Sequence, residues 1–367
     1  MDEQWSNNAA SAEAAIAARH FAPLWHLPAT QLGVCGWPST PNERRFGSWN
    51  YWWQAHLLDC LVDAQVRDPR PHRLHRIENQ LRGHRLRNTG RWINDYYDDM
   101  AWLALAIERS GRLTGVSRPG ALRALTKQFT DAWLPEYDGA IPWRKQDHFF
   151  NAPANGPAGI FLARTGELAQ AQRMADWIDE TLIDPETHLV FDGIKDGSMV
   201  RAQYTYCQGV VLGLETELAC RTGDERHAAR VRRLVAAVGD HMAPGGVLKG
   251  TGGGDGGLFA GITARYLSLV ATALPGQTPD HKTARDTARE LVLTSARSAW
   301  ERRQTVEELP LFGADWATAA RLPATDGEVG QFVGGAVSGS AVAERDLSVQ
   351  LSGWMLMEAA HALTVTP

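Results

Sequence analysis

Two neighbouring carboxylates, Asp98 and Asp99, carry the clearest chemical signal in this chain. They lie in Asn94-Asp95-Tyr96-Tyr97-Asp98-Asp99-Met100-Ala101-Trp102, at the start of an apolar run. Adjacent like charges repel, so folding gains little from pairing them. Sugar chemistry needs such a pair: one carboxylate attacks or stabilises, and one carboxylic acid protonates the leaving group. The flanking aromatic rings are surfaces on which a pyranose stacks. On a helix, side chains one residue apart diverge by about 100°. Both face one cleft only at its rim, near the helix N-terminus, where the dipole helps hold one of them ionised. Their carboxyls would then stand about 5–5.5 Å apart, the spacing of retaining glycosidases. The competing reading is an acidic cluster that caps the helix, with Asp95 as the cap residue.

Other residues offer chemistry with plainer alternatives beside it. Trp52, Trp53 and Trp102 would form a sugar platform, or pack in the core. Asn155 and Gln208 would bind sugar hydroxyls, or serve as a cap and a buried amide. Asp192-Gly193 would present a carboxylate at the cleft mouth, or form a hairpin turn. Gly252-Gly253-Gly254-Asp255-Gly256-Gly257 lacks the Gly-Lys-Ser/Thr ending and the preceding strand of a phosphate loop, and reads as a loop over the cleft. The 12 histidines show neither an HExxH pair nor a two-His-carboxylate spacing, so we expect no catalytic metal and no cofactor.

The elements that must hold these groups are helical. Apolar residues at i, i+3, i+4, i+7 spacing, such as Leu57, Leu58, Leu61, Val62 and Val66, predict helices near 11–25, 47–67, 70–88, 95–110, 117–134, 151–165, 167–182, 203–221, 224–242, 256–274, 279–302 and 346–364. Strand-like alternation is confined to His188–Phe191 and Met199-Val200, which predict one small hairpin around Asp192-Gly193. Gly111, Gly166 and Gly223, each after an arginine, read as helix stops about 55 residues apart, one helical hairpin plus loops. Six hairpins favour an all-α (α/α)6 barrel over an open solenoid. No linker divides residues 1–367, so one domain is expected. Segments 243–257 and 323–340 lack helical pattern and read as long loops, which often carry function.

Composition narrows the partners. The net charge of −5 has both signs interspersed along the chain, which argues against nucleic acid. No apolar run reaches the roughly 18–20 residues of a membrane span. The N-terminus MDEQWSNNAASAEAAIAARH has neither a basic nor an apolar leader region, and Cys35, Cys60, Cys207 and Cys220 show no CxxC spacing. A cytoplasmic protein with reduced thiols is the expectation. The 14 tryptophans favour a carbohydrate or aromatic ligand.

Four motifs, in order, resemble those of glycoside hydrolase family 76, the endo-α-1,6-mannanases. They are Tyr97-Asp98-Asp99-Met100-Ala101-Trp102, Asn151-Ala-Pro-Ala-Asn155-Gly156-Pro157, Tyr204-Thr205-Tyr206-Cys207-Gln208-Gly209, and Phe259-Ala260-Gly261-Ile262-Thr263-Ala264-Arg265-Tyr266-Leu267. The similarity covers roughly residues 45–365. It implies an (α/α)6 barrel that hydrolyses α-1,6-mannosidic bonds with retention, with Asp98 as nucleophile and Asp99 as acid/base. It also implies that Asn155, Tyr206, Gln208 and Arg265, in motifs that line the barrel mouth, contact an α-mannan or manno-oligosaccharide, beside Trp53, Trp102 and Asp192. Cys207 stands where the family has Asn, and Ala260 where it has Lys. Fungal relatives act as transglycosidases, which keeps transfer open beside hydrolysis; a non-catalytic glycan-binding barrel is the third reading.

Overall fold

The structure is a computed structural model that describes residues 2–134 and 139–365. Its helices, in chain order, are α1 (Asp2–His20), the single turn α2 (Pro41–Arg44), α3 (Tyr51–Arg67), α4 (Pro71–Arg87), α5 (Tyr97–Thr114), α6 (Pro119–Asp131), α7 (Ala152–Thr165), α8 (Leu168–Thr181), α9 (Thr205–Thr222), α10 (Glu225–Met242), α11 (Phe259–Ala273), α12 (Pro279–Arg302) and α13 (Leu347–Val365). Helices α3, α5, α7, α9, α11 and α13 pack side by side in that order, and α13 returns to α3. Each inner helix is backed by an outer one: α4, α6, α8, α10, α12 and, for α13, α1. The result is a closed (α/α)6 barrel, and the first and last long helices form its sixth pair.

Burial follows the layers. The outer helix α10 buries one stripe, including Val231, Leu234, Val235 and Val238, whereas α13 is buried almost all round from Leu347 to Ala360. Each fully buried Leu or Phe contributes about 1.5–3 kcal/mol relative to exposure. The inner ring is tight enough to need glycine: a Cβ on Gly156 of α7 would lie 2.5 Å from the Val210 side chain of α9. The seam where the barrel closes is stitched by charge. Glu13 of α1 meets Arg67 of α3 at 3.1 Å and Arg73 of α4 at 2.7 Å, and Arg67 also meets Glu358 of α13 at 3.1 Å.

Three details depart from expectation. The first helix occupies 2–20 rather than 11–25, because Trp5, Ala9, Ala12 and Ile16 form a stripe that packs into the core, and the chain turns to β1 (Phe21–Ala22) after His20. Helix α5 runs through Gly111 and stops at Gly115, whose φ of 79° supplies the left-handed cap; Gly166 and Gly223 do cap α7 and α9. The expected single hairpin is one of several small sheets among the described residues. Strand β1 pairs with β2 (Leu32–Gly33). Strands β3 (Phe149–Asn151), β4 (Gly193–Lys195) and β5 (Ser198–Val200) form the second sheet. Strand β6 (Gln304–Val306) pairs with β7 (Leu309–Leu311), and β8 (Val329–Phe332) with β9 (Gly335–Ser338). In the second sheet the turn is Asp196-Gly197, both at positive φ, and Gly193 is a strand residue.

A repeated device anchors the loops at the N-terminal end of the inner helices. In α3, α7, α9 and α13 the fourth residue is an amide: Gln54, Asn155, Gln208 and Gln350. Each accepts from one backbone N–H and donates to that same residue's carbonyl, clamping Gly33, Ile141, Val190 and Phe312 respectively at 2.7–3.0 Å. Each also donates to a carbonyl just before its own helix, at 2.8–3.0 Å.

Candidate active site

Helix α5 starts where the loop 139–151 crosses it. The Tyr97 N–H donates to the Trp143 carbonyl (2.8 Å) and the Lys145 N–H to the Asp95 carbonyl (2.8 Å). The N-cap residue is Tyr96, not Asp95, and no side chain caps the helix. Neither Asp98 nor Asp99 is the N-cap residue, and both are partly exposed.

The two carboxylates sit in different surroundings. Asp98 accepts two N–H donors: the Trp143 indole on Oδ2 (2.9 Å) and the Asp99 backbone on Oδ1 (2.8 Å). Asp99 accepts from the Asn94 amide at 2.6 Å. Burial pushes Asp98 up to about 7, held back by its two donors. Asp99 is raised well above the ordinary carboxylate range, first by burial and then by the Asp98 charge. Desolvation thus outweighs the repulsion between the two charges.

A third carboxylate faces the pair. Asp255, from the glycine-rich segment, accepts the indole N–H groups of Trp52 and Trp53 on one oxygen, both at 2.9 Å, and its charge raises both Asp98 and Asp99. Tyr206 stacks on Phe259 with ring centroids 3.9 Å apart, and its hydroxyl is influenced by Asp98, Asp192 and Asp255. Asp192 is raised to about 6 by burial and accepts from the Cys207 thiol at 3.7 Å. Asp98, Asp99, Asp192, Asp255 and Tyr206 thus share one electrostatic environment around the start of α5.

Five expected contact residues are placed otherwise. Asn155 and Gln208 are fully buried, and their amides are committed to the backbone clamps, so neither reaches a ligand. Asn155→Ala and Gln208→Ala should each lower stability by about 1–3 kcal/mol, through orphaned backbone groups, with KM unchanged; thermal melts and kinetics check this. Trp53 and Trp102 are only 3% and 4% exposed. Trp53 offers its N–H to Asp255 rather than a stacking face. Trp102 packs on His56, with ring centroids 4.6 Å apart. Trp52, partly exposed, is the one of the three left open to a sugar.

Arg265 lies two turns down α11, away from the mouth. It pairs with Asp59 (3.2 Å) and Asp63 (2.6 Å), which Arg109 also bridges, beside a cavity of about 200 Å³. Arg265→Ala leaves Asp59 and Asp63 to Arg109 alone, so a loss of stability is expected by denaturant titration, with KM for short substrates unchanged.

The sequence pattern does not reveal Asn94 and Trp143 as partners of the pair, and it places Asp255 only within a loop over the cleft. Asn94 sits inside the stretch that drew attention first. The indole contacts of Trp143 and Asp255 join segments distant in sequence, which no local pattern reports.

A model of Glycosyl hydrolase family 76 matches residues 8–351. Comparison with curated protein sequences returns no match. Among solved structures, the GH76A α-1,6-mannanase from Salegentibacter sp. HEL1_6 is 28% identical with a TM-score of 0.81, covering 98% of this chain and 99% of its own. A variant of that enzyme, inactive with two consecutive aspartates changed to alanine and in complex with α-1,6-mannotetrose, has a TM-score of 0.82 at 28% identity, again over 98% of this chain and 99% of its own. The Lin0763 protein from Listeria innocua is 26% identical with a TM-score of 0.80, covering 98% of each chain. With the family model spanning nearly the whole barrel, this chain belongs to glycosyl hydrolase family 76.

Proposed function

We propose that this glycoside hydrolase cleaves α-1,6-mannosidic bonds in mannan or manno-oligosaccharides with retention, with Asp98 as nucleophile and Asp99 as acid/base. The observation that carries the roles is the unequal support of the two carboxylates. Two N–H donors stabilise charge on Asp98, while burial and the neighbouring charge keep the proton on Asp99. In the first step the Asp98 carboxylate bonds to the anomeric carbon as Asp99 gives its proton to the departing glycosidic oxygen. In the second, Asp99 takes a proton from water, the water oxygen bonds to the anomeric carbon, and the Asp98 ester bond breaks.

The relative's complex with α-1,6-mannotetrose, and its inactivation by changing two consecutive aspartates, support the linkage and the pair. Tyr206, Asp192, Asp255 and Trp52 are the groups to which we assign the sugar hydroxyls and a ring face. Incubation with linear α-1,6-, α-1,2- and α-1,3-linked manno-oligosaccharides, with products separated by size, tests the reading. Cleavage of the α-1,6 series alone supports it; cleavage of another series in preference defeats it. The four cysteines are unpaired in the structure, and we propose that the enzyme works in a reducing compartment. Four free thiols on the natively produced, denatured and unreduced protein would support this; any disulfide would contradict it.

A further inference from the structure

The balanced overall charge conceals two stretches without an acidic residue. None occurs from Asn79 to Asn94, nor from Arg109 to Thr130. The first is the second half of α4 and its following loop; the second is the end of α5 and nearly all of α6. The fold brings them together. A groove of about 750 Å³ between α4 and α6 is lined by Arg82, Arg85, Leu86, Trp92 and Arg118, and no carboxylate lines it.

Elsewhere arginines hold carboxylates, as Arg67, Arg109, Arg230, Arg265 and Arg345 do. Here, among the described residues, Arg82, Arg91 and Arg123 make no side-chain hydrogen bond or ion pair. Arg85 reaches only the Gly90 carbonyl (2.9 Å) and lies 5.8 Å over the Trp92 ring. Arg118 reaches only the Ser117 carbonyl. Arg123 belongs to the same patch: its Nη2 lies 3.9 Å from where a Cβ on Gly120 would sit. Arg82, Arg85, Arg91 and Arg123 are exposed. A merely solvated face mixes its signs; unpaired guanidinium groups gathered on one groove create a positive field that attracts an anion. The guanidinium fork pairs bidentately with phosphate, and the half-buried Trp92 with Leu86 beside it adds apolar surface to the groove.

The loop after α4 runs from this groove to the catalytic pair. The Tyr51 hydroxyl donates to the Trp92 carbonyl at 2.5 Å, and Trp52, the next residue on α3, holds Asp255. Two residues beyond Trp92, Asn94 holds Asp99.

We propose that the α4–α6 groove docks a phosphodiester-bearing segment of the glycan whose mannose chain lies in the cleft; this rests on the mannan reading above. The probes are a mannosyl-phosphate-bearing α-1,6-mannan and the same polymer dephosphorylated, with binding measured by affinity electrophoresis apart from catalysis. At about 20 mM salt the phosphorylated polymer should bind about tenfold more tightly. The preference should vanish at about 0.5 M salt, where the screening length falls to about 4 Å. It should also vanish in the Arg82→Ala/Arg118→Ala variant, while kcat/KM on neutral mannotetraose stays at the wild-type value and reports an intact fold. Equal binding of the two polymers, or a preference that survives the double substitution, overturns the proposal. Tighter binding of single-stranded RNA or of vesicles containing anionic phospholipid than of the phosphorylated mannan also overturns it. If neutral mannotetraose is not cleaved but the arginine-dependent preference is present, the linkage reading fails and the groove assignment stands.

Discussion

Asp98→Ala and Asp99→Ala should each cut turnover on α-1,6-manno-oligosaccharides by at least about 10²-fold, since a positioned acid or base alone is worth roughly 10²–10⁴. Loss of Asp98 should cost more, because the covalent step goes with it. Neither variant should unfold: both side chains stand at the open start of α5, and neither is its N-cap residue. The two losses should not add, because nucleophile and acid act in one step. Steady-state kinetics beside circular dichroism separates lost chemistry from lost structure. A variant that keeps more than about a tenth of the wild-type rate would remove its residue from the reaction.

The second large effect is on pH. Catalysis requires Asp98 ionised and Asp99 protonated. With Asp98 pushed up to about 7 and Asp99 well above its ordinary range, kcat/KM should climb as pH rises through about 7, then fall once Asp99 loses its proton. Stability should move the opposite way. An unfolded aspartate ionises near pH 4, so between about 4 and 7 only the folded chain keeps Asp98 protonated. Raising the pH through that window strips a proton from the fold that the unfolded chain no longer holds, and stability falls. Asp346 and Glu358, each raised to about 7 by burial, add to the same slope. The Asp98→Ala/Asp99→Ala variant isolates the pair. Wild type should lose about 1–3 kcal/mol more than the variant between pH 5 and 8, the pair's partial exposure keeping the figure modest. Urea titrations across that range measure it; identical slopes would mean that the pair is not proton-shifted by the fold.

The barrel was legible because its signal is local and repeated. An inner helix such as α13 reads as apolar nearly all round and an outer one such as α10 as a stripe, and that contrast is what two concentric layers require. Asp98 and Asp99 stand out as candidates because adjacent carboxylates beside aromatics have little structural use. Asn155 and Gln208 misled because a polar residue within a motif reads alike whether it binds sugar or backbone. Only the position they share with Gln54 and Gln350, fourth in an inner helix, marks them as clamps. Arg265 misled for a related reason: the carboxylates that claim it, Asp59 and Asp63, lie about 200 residues away in the chain. Asp255 was legible only as part of a loop over the cleft, without its partners. The backbone there passes close against the β8–β9 hairpin, where the Gly256 N–H donates to the Gly334 carbonyl at 2.8 Å, and this fixes the carboxylate beneath two indoles.

The most direct test of the account is the anomeric form of the first product. Double displacement through a bond to Asp98 requires that α-1,6-mannotetraose release the α-anomer first. Proton NMR during the opening minutes of turnover, before mutarotation mixes the anomers, should show the α signal rising ahead of the β. A β-anomer appearing first would mean single displacement by water, with Asp192 or Asp255 as the base, and would contradict the role assigned to Asp98.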